Sequence, residues 1–247
     1  MLSDSSRSLN NFVKAFSILS KPWAVKYVIF SALLSFIVFL LFLFLAYQYG
    51  DDIGSYFYDL IPIKSSFGWF SVLMEWISRL LLILIIIFAF KYIVLIITAP
   101  LMSVLSEKVE KHYGGGYVEP VGISGQLKSV VRGSTLAIGN LLKELFISIP
   151  VLALSLIPGV FVFSTPFLFL IQSYFAGFGN FDFYMERHLN IRESKKFARQ
   201  NRMAVSVNGA LFLMLLIIPV IGVLLAPSVG TIAATLTGVD LMDDGDF

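Results

Sequence analysis

The chain has no cysteine among its 247 residues and only two histidines. The absence of thiols excludes disulfides, zinc-finger sites, iron–sulfur clusters and catalysis by a thiolate. Both histidines lie in polar connecting segments, without a second ligand at a metal-binding spacing and without a serine–histidine–aspartate arrangement. The sequence therefore predicts no metal, no cofactor and no enzyme activity.

Charged residues are scarce as well, at 14% of the chain. In contrast, 57% of the residues are hydrophobic, 24 residues are phenylalanine, and the mean hydropathy of +0.86 is far above that of soluble domains. This composition is typical of an integral membrane protein, here predicted to be all-α, whose surroundings are the lipid bilayer; no nucleic acid partner is expected. The length suits a single membrane domain over residues 1–247, because no linker-like stretch marks a second one.

The first long apolar run predicts a membrane span over residues 26–48. It follows about 25 fairly polar residues and shows no Ala-x-Ala cleavage site, which favours a membrane anchor over a cleaved signal peptide. Tyr27 and Tyr47 stand at its two ends, where aromatic residues favour the membrane interface. We expect a second, longer span over residues 69–98, beginning at Trp69.

The second span contains two residues of opposite charge, Glu75 and Arg79, four positions apart. A glutamate that precedes an arginine by four residues has the favourable orientation for an ion pair on one helical face. An intramembrane charge pair is a candidate functional site. The alternative is that both side chains snorkel to the interface and only anchor the helix.

Two later apolar runs are interrupted by proline, at Pro158 and at Pro219. Proline inside a helix costs roughly 3 kcal/mol, so the helix should kink or reverse at each of these positions. The apolar arm before the first break would reach roughly 20 Å, which is less than the roughly 30 Å of the hydrocarbon core. We therefore predict two re-entrant, hemipenetrating helical hairpins, over residues 145–178 and 205–238. The alternative is that each hairpin crosses the bilayer fully.

The basic residues are distributed unevenly along the chain. Of the 18 lysines and arginines, only Lys64 lies in the loop over residues 50–68 between the two spans. The positive-inside rule then places this loop outside and the N-terminus in the cytoplasm. The connecting segments over residues 98–144 and 182–208 are basic, so both hairpins should open towards the cytoplasm.

Three cytoplasmic amphipathic helices are predicted, over residues 99–112, 125–144 and 190–204. In the last of them, basic residues recur at helical spacing and give one dense positive face. Such a face either contacts the phosphates of lipid headgroups or concentrates small anions at a cytoplasmic vestibule. Together with charged residues just before it, this helix supplies a predicted cytoplasmic cluster: Asp182, Arg187, Arg192, Lys195 and Arg199.

Several motifs occur in a specific order along the chain. They are Ile97-Thr98-Ala99-Pro100-Leu101, the following Leu105-Ser106-Glu107-Lys108-Val109-Glu110, the turn Ile157-Pro158-Gly159, and Phe181-Asp182-Phe183 with Arg187 and Glu193. This set resembles the CysZ sulfate permease family, within the broader group of etoposide-induced membrane proteins, over roughly residues 12–240. The resemblance implies two long spanning helices, two hemipenetrating hairpins, and oligomers in the bacterial inner membrane that pass sulfate into the cytoplasm.

The family's sulfate-binding turn is a Pro-Gly-Leu-Arg-Arg-like stretch at the start of the first span. The matching stretch here is Pro22-Trp23-Ala24-Val25-Lys26, so the resemblance implies an anion site at Pro22, Ala24, Val25 and Lys26. A helix N-terminus offers backbone N–H groups and a partial positive charge to an oxyanion. Trp23 and Val25 stand where the family has glycine and its first arginine.

A turn in the middle of the membrane exposes backbone groups that lipid cannot satisfy. We therefore expect a homo-oligomer in which the hairpins meet and enclose a polar path. The predicted function is an anion permease or channel for sulfate or a related oxyanion, serving sulfur assimilation. The alternative is a non-transporting membrane scaffold or assembly factor of the same fold.

Overall fold

The computed structural model describes residues 2–60, 68–114, 123–155, 159–218 and 221–243. The regular secondary structure of these ranges is helical, with no strand. Eight helices occur in them: α1 (Leu2–Leu19), α2 (Pro22–Leu60), α3 (Gly68–Tyr113), α4 (Ile123–Ser155), α5 (Phe161–Met185), α6 (Ile191–Gln200), α7 (Arg202–Leu216) and α8 (Ile221–Asp243). The expectation of an all-α protein is therefore confirmed for the described residues.

The two longest helices, α2 and α3, pack against each other. With 39 and 46 residues, they extend about 58 and 69 Å. The predicted second span and the amphipathic segment at 99–112 form one continuous helix, because Pro100 lies inside α3 without ending it. Glu75 and Arg79 fall within α3, but their side chains lie outside the described part of the structure.

The remaining long helices form two antiparallel pairs, α4 with α5 and α7 with α8. The helices before the two proline breaks end at Ser155 and Leu216, close to the predicted positions. Pro158 and Pro219 themselves lie outside the described residues. Gly159, just after the first break, has a φ of 87°, a left-handed conformation that glycine adopts without steric cost.

The helix α4 differs from the expectation for the first hairpin. The amphipathic segment at 125–144 and the arm from residue 145 onwards form a single helix of 33 residues. The reason is that one buried polar face continues across the expected junction, with Asn140, Glu144 and Ser148 four residues apart. The segment at 190–204 is divided instead, because α6 ends at Gln200 and α7 begins at Arg202.

In the part of the chain that the structure describes, five helical segments are long and apolar enough to cross a membrane: Pro22–Tyr49, Tyr92–Tyr113, Val130–Ser155, Val162–Met185 and Ile221–Asp243. The apolar helix α7 is shorter, with 15 residues. Length and composition thus make α4, α5 and α8 candidate spans as well as candidate hairpin arms.

The helix α8 forms the centre of the bundle. It packs against α1, α2, α3, α5 and α7, and nearly every residue from Gly222 to Val239 is buried, as expected of a helix that is apolar on all sides. Beside it, α5 and α7 approach very closely through two glycines. A Cβ atom at Gly177 would overlap the carbonyl of Val205, and one at Gly209 would overlap the carbonyl of Ser173.

Candidate functional site

One end of the bundle collects most of the described polar contacts. We call it the polar end: it comprises the last turns of α3, α5 and α8, the first turns of α4 and α7, and all of α6. The helix α1 is fixed there by the Ser8 hydroxyl, which donates to the Ala204 carbonyl at 3.0 Å, and by Asn11, whose amide donates to Asp240 at 2.8 Å. The polar end is therefore where charged residues meet across the fold.

Asp182 at the polar end is paired with a largely buried arginine from α4, Arg132. Arg132 donates from Nη2 to Asp182 Oδ1 at 2.8 Å and from Nε to Asp182 Oδ2 at 3.3 Å, a two-point contact. It also donates to the Leu189 carbonyl and to the Ser194 hydroxyl, both at 2.7 Å. Because Ser194 belongs to α6, this arginine holds α6 against α4 and α5.

Arg187 likewise forms an ion pair, with Glu110 at the end of α3. Its Nη2 and Nε donate to Glu110 Oε2 at 2.8 and 3.0 Å, and Nη2 also donates to the Ser106 hydroxyl at 2.8 Å. His188 Nε2 lies 2.7 Å from the other Glu110 oxygen, Oε1. The hydroxyl of Ser103, on the same face of α3, donates to Glu186. This cluster joins the end of α3 to the end of α5.

The helix α6 begins with a capping box. The Asn190 side chain accepts from the amides of Arg192 and Glu193 at 2.9 and 3.1 Å, and Glu193 Oε2 accepts from the Asn190 amide at 2.8 Å. Ser194, Phe197 and Ala198 form the buried face of this helix. The basic residues of α6 lie on the side of the helix opposite this buried face.

The basic residues of α6 surround an open cavity of about 400 Å³. Arg192, Lys195, Lys196 and Arg199 line it together with Gln200. No carboxylate among the described side chains forms an ion pair with any of these four cations. Several like charges around one concave surface raise the local concentration of anions. We call this surface the cationic cavity.

A second concave surface adjoins the cationic cavity and shares Lys195 and Arg199 with it. It lies between α4, α5 and α6 and has a volume of about 520 Å³. Its lining is mostly apolar and aromatic, with Lys143 as a third basic residue: Asn140, Leu142, Lys143, Phe146, Ile147, Tyr174, Phe175, Phe178, Lys195 and Arg199. We call it the aromatic groove.

The predicted anion-binding turn lies at the start of α2. The amides of Ala24 and Val25 donate to the Lys21 carbonyl at 2.8 and 3.0 Å, and Pro22 has no N–H. These three positions therefore offer no free backbone N–H group to an anion at the start of the helix. Ala24 is buried, Val25 is half-buried, and Pro22 and Lys26 are exposed. Lys26 Nζ lies 4.9 Å from the centre of the Tyr27 ring.

Trp23, in the same turn, contacts the end of α3. Its ring stacks on His112 with 4.3 Å between the ring centres and 11° between the planes. This contact ties the start of α2 to the polar end. Lys26 is thus the residue of the turn that brings an exposed positive charge.

The predicted cytoplasmic cluster divides into two groups. Arg192, Lys195 and Arg199 lie around the cationic cavity, whereas Asp182 and Arg187 are partners in largely buried ion pairs. The prediction omits the two residues that complete those pairs, Arg132 and Glu110. The sequence signal that points to Glu110 is its spacing along one face of α3, seven residues after Ser103 and four residues after Ser106.

Within the described residues, no group of three or more histidine, aspartate or glutamate side chains is arranged to hold a metal ion. A comparison with curated proteins gives no significant match. A family model described as sulfate transporter CysZ/etoposide-induced protein 2.4 matches residues 11–227, which is more than four fifths of the chain. The chain therefore belongs to the family of the sulfate transporter CysZ and etoposide-induced protein 2.4, as its ordered motifs predict.

Proposed function

We propose that this multi-pass membrane protein is an anion permease or channel of the bacterial inner membrane that takes up sulfate or a related oxyanion for sulfur assimilation. The observation that carries the proposal is the cationic cavity: four basic side chains around one open surface, without carboxylate partners among the described residues. Membership of a sulfate transporter family makes an oxyanion the natural occupant. The cavity acts by attracting anions to the mouth of a path through the membrane.

In the proposed topology, α2 and α3 cross the bilayer and the pairs α4–α5 and α7–α8 enter it from the cytoplasmic side. The length of α7 supports this arrangement, since 15 residues extend about 22 Å, less than the roughly 30 Å of the hydrocarbon core. Because α8 runs antiparallel to α7, the proposed turn between the two helices lies at the depth in the bilayer that α7 reaches. The basic residues of the polar end support a cytoplasmic location for that end and for the N-terminus.

The proposed active form is a homo-oligomer. A turn such as that at Gly159, placed within the bilayer, needs protein or water around its backbone groups. A second copy of the chain can provide this cover and enclose a path that one copy leaves open to lipid. Mass measurement in mild detergent tests this assembly, and a purely monomeric protein would contradict it.

A second anion contact is proposed at the start of α2, where Lys26 is exposed. The positive charge of Lys26 strengthens the attraction of anions to the polar end. Ala24 and Val25 contribute to the proposed site through the backbone conformation of the turn. Equilibrium binding of labelled sulfate tests this contact. We expect weaker binding by Lys26→Gln than by the parent protein, and equal binding would remove Lys26 from the site.

The decisive experiment is the flux of radiolabelled sulfate into proteoliposomes. We expect saturable uptake that another divalent oxyanion inhibits, and a severalfold lower uptake for the double variant Arg192→Gln/Lys196→Gln, because two of the four cavity charges are lost. Lys128→Gln, an exposed lysine of α4 outside the cavity, is the control. A folded protein that shows no uptake under these conditions would favour the scaffold alternative.

A further inference from the structure

The aromatic groove combines two surfaces that a small oxyanion cannot use together. One rim carries the basic side chains of Lys143, Lys195 and Arg199, and the walls carry phenylalanine and tyrosine. Its volume of about 520 Å³ lies in the range of sites for ligands with many atoms, roughly 300–1,000 Å³. A sulfate ion bound at the rim would leave the aromatic walls uncovered.

The walls of the aromatic groove are unusually open for large apolar residues. Phe146 is 82% exposed and Leu142 is 62% exposed, while Phe175 and Phe178 form a buried floor. Exposed apolar surface of this kind, beside basic residues, is typical of protein surfaces that contact lipid at the headgroup level. The groove therefore favours an occupant with an apolar chain.

The basic side chains of the groove favour an occupant whose polar end is anionic. Among its described lining residues, three are basic and none is acidic. Arginine and lysine side chains bind phosphate oxygens through charge-assisted hydrogen bonds, and clusters of them at a membrane surface recognise anionic headgroups. Lys195 and Arg199 lie one turn apart on α6, so both can face the same phosphate.

We propose that the aromatic groove binds one anionic phospholipid from the leaflet that faces the polar end. Lys195 and Arg199 bind its phosphate, Lys143 adds charge from α4, and an acyl chain lies along Phe146 and the floor of the groove. The lipid then joins α4, α5 and α6 at the level of the headgroups. The groove shares Lys195 and Arg199 with the cationic cavity, but a lipid that stays bound is not cargo, so lipid binding goes beyond the proposed transport activity.

The test is native mass spectrometry of the full-length protein in mild detergent, titrated with phosphatidylglycerol or phosphatidylcholine. We expect one phosphatidylglycerol molecule to bind in preference to phosphatidylcholine. The double variant Lys195→Gln/Arg199→Gln should bind phosphatidylglycerol about tenfold more weakly, because two charge-assisted contacts are lost. Lys196→Gln removes one charge from the same helix but lines only the cationic cavity, so its binding should be unchanged.

The apolar contact has its own matched pair of variants. Phe146→Ala should weaken phosphatidylglycerol binding severalfold, whereas Phe163→Ala should not, since Phe163 is 79% exposed on α5 but does not line the groove. Both phenylalanines are largely exposed, so neither variant should disturb folding. Sulfate uptake by the parent protein is measured independently of lipid binding, so failure of the lipid site can be told apart from failure of the proposed permease.

Three results would overturn the lipid site. One is equal binding of phosphatidylcholine and phosphatidylglycerol, and another is an equal loss in the Lys196→Gln control and in the double variant. The third is full displacement of the lipid by inorganic phosphate at millimolar concentration, which would show that the basic rim binds free anions only. Retention of the lipid in excess inorganic phosphate supports the proposal.

Discussion

The basic residues of the polar end fall into two regions that differ in what surrounds each charge. Arg132 and Arg187 are almost buried, and each donates to a carboxylate, to a hydroxyl and to at least one backbone carbonyl. The cations of α6 surround open space instead and have no carboxylate partner among the described side chains. The first region therefore fixes helices to one another, whereas the second is available to a ligand.

The largest effect is expected where a buried charge loses its partner. Asp182→Ala leaves the Arg132 guanidinium buried beside two neutral acceptors, and breaking such a pair costs about 3–5 kcal/mol. We expect the free energy of unfolding in detergent to fall by that amount, with loss of α6 docking. An unchanged denaturation midpoint would show that Arg132 does not depend on this carboxylate.

The next effect is expected at the junction of α3 and α5. Glu110→Gln keeps the shape of the side chain but removes the charge that faces Arg187 and His188. Hydrogen bonds to charged groups contribute about 1.5–3 kcal/mol, and we expect a destabilisation in that range by thermal unfolding. Asp243→Asn, an exposed carboxylate near the end of α8, serves as the control and should change stability little.

A smaller effect is expected where the two regions meet, at the start of α6. Asn190→Ala removes the acceptor for two backbone amides, which costs about 1 kcal/mol at a helix N-cap. Hydrogen exchange should then increase in α6 more than in α5. Equal exchange in the parent and the variant would contradict a capping role for this side chain.

The smallest effect on stability is expected in the exposed region. The double variant Arg192→Gln/Lys196→Gln should change the free energy of unfolding by no more than about 0.5 kcal/mol, as for other surface substitutions. The same variant should lower sulfate uptake, so a functional loss without a stability loss separates the two regions. A destabilisation as large as that of Glu110→Gln would remove the distinction.

Local features of the sequence predicted much of the fold. Proline and glycine act on the backbone of their own segment, so the helix ends near Ser155 and Leu216 could be anticipated. The helical period likewise predicted the basic face of α6, because periodicity depends only on neighbouring residues. The ordered motifs predicted the family, which the match over residues 11–227 confirms.

The partners of the buried charges could not be predicted in this way. Glu110 and Arg187 are 77 residues apart, and Arg132 and Asp182 are 50 residues apart, so their pairing depends on how α3, α4 and α5 pack. Sequence proximity grouped Asp182 and Arg187 with the cations of α6, although they point into the bundle. The continuity of α4 cannot be read from the sequence, because hydrophobicity rises after Glu144 and separates an amphipathic segment from an apolar one.

The central position of α8 has a consequence for how the protein is made. Every other described helix precedes α8 in the chain, yet five of them pack against it. Those helices cannot complete their packing until α8 has been synthesised, because it is the last of the described helices to leave the ribosome. The fit of this last helix is close, since a Cβ atom at Gly222, Gly230 or Gly238 would overlap Leu215, Asn180 or Tyr184.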